Sequence, residues 1–203
     1  MRHWPSLLAA VAAISLAGTA EVLAQDPGYD LAVINGGSFP GAQGNIAVNA
    51  TAGVNNQQAN VAVIAKGNTA VGAAAIIQAL DTTDPSGSRQ MSALIADGAF
   101  ANSSGLIAIN VSAGNDNQQG NLALLSVAGT GAALGDLVLS QSRASRDPVT
   151  SATGTADVAD GSAMVAPGAF ENSSGVVQLN IIGGERNSSS NLFALSISDG
   201  ANP

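Results

Sequence analysis

One stretch of this chain occurs three times, and that repetition restricts the fold more than any other feature. Its first copy reads Gly44-Asn45-Ile46-Ala47-Val48-Asn49-Ala50-Thr51-Ala52-Gly53-Val54-Asn55-Asn56-Gln57-Gln58-Ala59-Asn60-Val61-Ala62-Val63-Ile64. It returns as Gly105 to Leu125, an offset of 61 (44 to 105), and as Gly175 to Leu195, a further 70 (105 to 175). The landmarks keep step: Phe39, Phe100 and Phe170 lead in, and Asn49, Asn110 and Asn180 sit mid-run. Gly53, Gly114 and Gly184 open a turn that holds Asn56, Asn117 and Asn187, and Asn60, Asn121 and Asn191 follow it. A repeat unit is usually one supersecondary element that cannot bury its apolar face alone and does so on its neighbours. The copies are therefore read as three layers of one object.

Within a copy the periodicity is that of strands. Ile46, Val48 and Ala50 alternate with Ala47, Asn49 and Thr51; Ile107, Ile109 and Val111 alternate with Ala108, Asn110 and Ser112. Period two with β-branched residues and a terminal glycine predicts a strand. The Val61-type run is apolar on both faces, as suits a strand covered on two sides. The trio Ala32-Val33-Ile34, repeated as Ala93-Leu94-Ile95 and Ala163-Met164-Val165, adds a third short strand. The repeats thus cover about 32–64, 93–125 and 163–195. The Gly- and Asn-rich turn tolerates left-handed backbone angles, and either a hairpin or an arch between two sheets fits it. Linkers 65–92 and 126–162 each hold an apolar patch able to add a strand (Ala70 to Leu80; Gly131 to Leu139). Each then reaches a breaker, Asp84 to Ser88 or Ser142 to Thr150, expected to be a loose loop.

Composition narrows the function. Arg2 and His3 precede an apolar run, Leu7 to Ala17, too short to span a bilayer, and Val22-Leu23-Ala24 supplies small residues for cleavage. Residues 1–24 are expected to be a signal peptide, with residues 25–203 the exported domain. Their removal takes the only His and the only Trp, and the chain has no Cys. Neither a disulfide framework nor an imidazole or thiolate metal site can then be built. The acids are mostly single Asp residues in turns such as Asp97-Gly98 and Asp160-Gly161, so no acid–base or nucleophilic constellation is evident. Asn115 to Gly120 shares the opening of a calcium loop but lacks its carboxylates and closing Glu, Ser126 standing at position twelve. No enzyme, cofactor, metal or small-molecule substrate is expected. A net charge of −8 argues against nucleic acid, whose phosphates need Lys and Arg.

The recurring amides carry the remaining information. On an ordinary strand, Asn49, Asn110 and Asn180 would face water. In identical strands stacked about 4.8 Å apart they would instead form a ladder, each amide offering both donor and acceptor. Charge would break such a column, and residues 37–64 contain none. Asn56, Asn117, Asn187, Gln57, Gln118, Gln58, Gln119, Asn60, Asn121 and Asn191 are candidate ladder and self-assembly positions on the same ground. Gly53, Gly114, Gly184, Phe39, Phe100 and Phe170 are candidate turn and lead-in positions.

These residues resemble the repeats of the Fap-type functional amyloid subunits of bacterial biofilms. The likeness lies in Gly44 to Asn60 and Gly105 to Asn121, with the pattern Gly…Asn…Ala-Gly…Asn-Gln-Gln-x-Asn, and in three imperfect repeats behind a signal peptide. The third copy departs from it, with Ser188-Ser189 in place of Gln-Gln and Glu185-Arg186 in the turn, and a C-terminal Cys-x-x-Cys is lacking. The resemblance implies an all-β three-repeat solenoid of stacked β-arch layers, secreted through the periplasm and assembling into extracellular fibres. Its implied partners are further copies of itself, related fibre subunits and an outer-membrane secretion pore. A monomeric surface adhesin and a minor nucleating subunit are the alternative roles.

Overall fold

In the computed structural model, which describes residues 28–80, 89–129, 132–143 and 161–198, every regular element is a strand. The first copy supplies β1 (Tyr29–Ile34), β2 (Gln43–Ala52), β3 (Gln57–Gly67) and β4 (Ala70–Leu80). The second supplies β5 (Gln90–Ile95), β6 (Ser104–Ala113), β7 (Gln118–Ala128) and β8 (Ala132–Arg143). The third supplies β9 (Gly161–Val165), β10 (Ser174–Gly183) and β11 (Ser188–Ser198). Residues 1–24, the Asp84 to Ser88 breaker and positions 144–150 of the second breaker lie outside the described residues. Ser142 and Arg143 do not belong to a breaker: they end β8.

Consecutive strands of one copy never pair with each other. Each joins its counterpart in the next copy, giving sheets β1-β5-β9, β2-β6-β10, β3-β7-β11 and β4-β8. All pairs are parallel, and the register follows the sequence offsets, with Ala32 opposite Ala93, Asn49 opposite Asn110 and Asn110 opposite Asn180. Identical side chains therefore stand above one another, which alternating sequence alone does not require. The chain is a solenoid of stacked layers. The Gly53 turn joins β2 to β3 in different sheets, so it is an arch, not a hairpin.

Three interfaces lie between the four sheets, and they differ in chemistry. The first is apolar: Ala32, Ile34, Met91, Ala93 and Ile95 face Ile46, Val48, Ile107, Ile109 and Val111. Phe39, Phe100 and Phe170 close its end as a stack, with ring centroids 5.1 and 5.2 Å apart and planes within 8°. The second interface, between the β6 and β7 sheets, is lined by amides. The third sets Leu122 and Leu124 of β7 against β4 and β8, where Gly72 makes room for the Leu124 side chain and Gly120 for Leu139 and Ile76.

The apolar patches of the two linkers are β4 and β8, and they sit half a layer out of step. Gln57 Nε2 donates to Ala79 O in its own copy at 2.7 Å, while Gln78 Nε2 donates to Gln119 O in the next at 3.0 Å. Gln141 repeats this one layer up, donating to Ser189 O at 3.3 Å. Each fourth strand thus clamps its own layer to the following one. A β-bulge between Gly72 and Ala74 interrupts the β4–β8 register.

Candidate functional site

The candidate ladder residues fall into three places. Asn49, Asn60, Asn110, Asn121, Asn180 and Asn191 meet in the second interface, with Gln58 and Gln119 beside them. Asn56, Asn117 and Asn187 line the arch. Gln57 and Gln118 point the other way, toward β4 and β8, where Gln118 Nε2 donates to Ser142 O at 2.9 Å. The phenylalanines stack on the far side of the first core.

The six asparagines form one staircase. Asn60 donates to Asn49 Oδ1 at 2.9 Å, and Asn110 donates to Asn49 and Asn60 at 3.0 and 2.9 Å. Asn121 donates to Asn60 and Asn110 at 2.8 and 3.0 Å. Asn180 donates to Asn110 and Asn121 at 2.9 and 3.1 Å, and Asn191 to Asn121 and Asn180 at 2.9 and 3.1 Å. Five of the six amides are oriented by backbone carbonyls, and Asn49 by the two NH2 groups that its Oδ1 accepts from. Asn110 Nδ2 also reaches Ala59 O, and Asn121 Nδ2 reaches Ile109 O, both at 3.1 Å. A carbonyl accepts only, so the group facing it must be the NH2.

Every staircase bond between copies therefore runs from a donor in the later copy to an acceptor in the earlier one. The staircase closes at the lower end on Asn49, whose NH2 has no acceptor among the described residues. At the upper end it closes on Asn191 Oδ1, which has no donor among them. Asn110 and Asn121 are fully buried, and burial strengthens aligned hydrogen bonds as much as it penalises unmade ones.

In the arch the side-chain amides of the first two copies donate the opposite way, toward the following copy. Asn56 Nδ2 donates to Ala52 O and Gly114 O at 3.1 and 2.7 Å, and Asn117 Nδ2 to Gly184 O at 2.8 Å. In the third copy no fourth glycine carbonyl follows, and Asn187 Nδ2 turns back to Asn117 Oδ1 at 3.2 Å. Gly53, Gly114 and Gly184 have φ of 101°, 110° and 145°, so the glycines supply angles closed to other residues.

The third copy ends the glutamine column with serines: Ser189 Oγ donates to Asn180 Oδ1 at 2.6 Å, and Ser188 Oγ to Gln118 Oε1 at 3.2 Å. Its Arg186 pairs inward with Asp116 of the copy below at 3.8 Å. Two polar contacts escaped the sequence reading. Gln141 Nε2 donates to Gln78 Oε1 at 2.7 Å, forming a short ladder in β4–β8. The signal was a lone Gln in each linker, Gln78 inside the first apolar patch and Gln141 two residues past the second. Asp30, fully buried in β1, is held by Arg89 through Nε at 2.8 Å and a second bond from Nη2. That hydrogen bond keeps the guanidinium above its ordinary pKa. Nothing in the repeat pattern marks this pair, because neither residue recurs.

No solved structure matches the chain. The model of the functional amyloid protein FapB/FapC family matches residues 11–198 and so takes in all three copies together with both linkers. A stack of parallel, in-register strands bonded through side-chain amides is the architecture that name calls for, and the chain belongs to the functional amyloid protein FapB/FapC family.

Proposed function

We propose that this functional amyloid protein polymerises end to end, the third layer of one copy receiving the first layer of the next, to build extracellular fibres of a bacterial biofilm matrix. The observation that carries this reading is the one-way staircase. Unused donors at Asn49 and an unused acceptor at Asn191 are complementary across a simple translation along the stack. The same translation sets Phe39 on Phe170, Asn56 on Asn187 and β1, β2 and β3 on β9, β10 and β11. Edge strands present unpaired N–H and C=O groups that another chain can satisfy. β2, β3, β10 and β11 carry none of the charges or prolines that commonly protect edges, Lys66 excepted, and Asp30 of β1 is buried against Arg89.

The ladder residues act in this reading as the assembly surface, the repeats as its ordered units and residues 1–24 as an export signal. Passage through the periplasm and an outer-membrane pore, and co-assembly with related subunits, complete it. The monomeric adhesin finds less support, because Arg186 turns inward to Asp116 and does not cover the upper edge.

The test is to follow the purified mature chain by electron microscopy and fibre diffraction. Unbranched fibres with a meridional spacing of about 4.8 Å are expected. A chain that stays monomeric at high concentration would sink the reading.

A further inference from the structure

We infer that the outward face of the β4–β8 sheet is a lateral pairing surface, on which two stacks of this chain zip together face to face. The inference rests on the end-to-end assembly proposed above and adds a second, sideways contact. Among the described residues, most exposed large apolar side chains belong to the arch or the end layers: Val54, Ile64, Met164, Val165, Val177, Leu192, Leu195 and Ile197. The remaining three, Val71, Ile77 and Val138, are 62, 75 and 43% exposed and share the outer side of β4–β8. Lengthening the stack leaves this side open, because it points across the axis.

β4 exposes Val71, Ala73, Ala75, Ile77 and Ala79, and β8 adds Val138, Ser140 and Ser142. β4 contains no charged residue in a chain whose net charge is −8. The outer face of β11, where a third strand of this sheet would lie, is different. Around Leu192 and Ala194 it exposes Ser188, Ser190, Ser196 and Ser198, four hydroxyls that adapt it to water. Exposure alone therefore does not account for the apolar side of β4.

The shape of the face selects a second copy of itself. A two-fold axis along the stack, centred on Ala75, sets Ile77 opposite the partner's Ala73 and Val71 opposite the partner's Ala79. On β4 each large side chain then meets a small one, the interdigitation of a steric zipper, while Val138, in register with Ala75, meets its own counterpart on the axis. The outer face of the β1–β5–β9 sheet fits less well, since its strands have 6, 6 and 5 residues against 11 in β4.

Area decides when pairing occurs. An 11-residue strand is about 36 Å long at about 3.3 Å per residue, and two strands add a width of about 10 Å. One molecule thus offers about 350 Å², against about 800 Å² per partner in a stable complex. Monomers should not pair through this face, whereas stacks of a few molecules should.

The experiment compares mass per length and width of fibres from the unaltered chain, Ile77→Lys, Ala75→Lys and Leu94→Lys, the last on the outer side of β5. Paired fibres are expected for the unaltered chain and for Leu94→Lys. Single fibres, with half the mass per length, are expected for both β4 variants. Unaltered fibres that are always single, whether or not they adhere to phosphatidylcholine vesicles, would overturn the lateral surface alone. So would loss of pairing in Leu94→Lys. If neither the unaltered chain nor any variant forms fibres, both the end-to-end reading and this one fall.

Discussion

Asn49 and Asn110 occupy the same place in their copies, yet the staircase gives them different duties. Asn110 Nδ2 faces three acceptors, Asn49 Oδ1, Asn60 Oδ1 and Ala59 O, while its own Oδ1 accepts from Asn121 and Asn180. A carboxylate at this position could only accept, and it would be fully buried against three oxygens. Asn110→Asp should cost about 3 kcal/mol or more, the scale for an uncompensated buried charge. A urea midpoint shift would report it. Asn49 only accepts within the chain, and Asp accepts equally well. Asn49→Asp should leave the midpoint within about 0.5 kcal/mol of the parent but stop assembly at neutral pH, because a carboxylate would face the acceptors of Asn180 and Asn191. Holding the introduced carboxylate against those oxygens raises its pKa above the reference of about 3.9, so the block should fade as pH falls toward that value. Fibre growth by Asn49→Asp at the parental rate at pH 7 would show that this amide takes no part in assembly. The pair outside the repeats behaves differently again. Arg89→Ala strands the buried Asp30 and should cost about 3 kcal/mol, with Asp30→Asn added to it restoring much of the loss.

At the scale of the element, the arch is where side-chain chemistry meets backbone geometry. Gly114 and Gly98 both have positive φ, 110° and 69°, but their surroundings differ. A Cβ on Gly114 would strike the Gly184 carbonyl oxygen, whereas one on Gly98 would meet open space. Gly98→Ala should cost only the left-handed penalty of about 1–2 kcal/mol. Gly114→Ala should prevent the second and third arches from stacking and lower the thermal midpoint far more; equal midpoints for the two would contradict this geometry. Such an arch was half legible from sequence. Its glycines and asparagines announced a tight turn, but a turn that joins two sheets and one that closes a hairpin use the same residues. The strands were readable because period two survives in each copy, and the amide columns because residues recur at fixed offsets. The half-layer stagger of β4 and β8 was not readable. It depends on where Gln78 and Gln141 find carbonyls in the following layer, and the linkers do not repeat at a constant offset: the β4–β8 register shifts at the Gly72 bulge. Nor could periodicity place the asparagines between two sheets, since alternation assigns them to one side of a strand without saying what covers it.

For the molecule as a whole, the decisive quantity is how many layers one chain contributes to a fibre. Each copy pairs with the next in parallel register, so a chain of three copies advances three strand spacings along the axis. At about 4.8 Å per spacing, that advance is about 14 Å. A chain of 19.8 kDa should therefore give about 1.4 kDa per Å in a single filament built on this spacing, and slightly less once residues 1–24 are removed. The alternative is that the copies unfold from one another and lie side by side in a single plane, with every molecule adding one layer, as in fibres of short non-repetitive peptides. The diffraction spacing would be the same, but the mass per length would rise to about 4 kDa per Å. The staircase argues for the first arrangement, because Asn49, Asn110 and Asn180 already satisfy one another inside the monomer and nothing is gained by separating them. Scanning transmission measurements on fibres kept single by Ile77→Lys remove the factor of two expected from lateral pairing. A value near 1.4 kDa per Å would show that the monomer fold passes unchanged into the fibre; one near 4 would mean that assembly dismantles the stack described here.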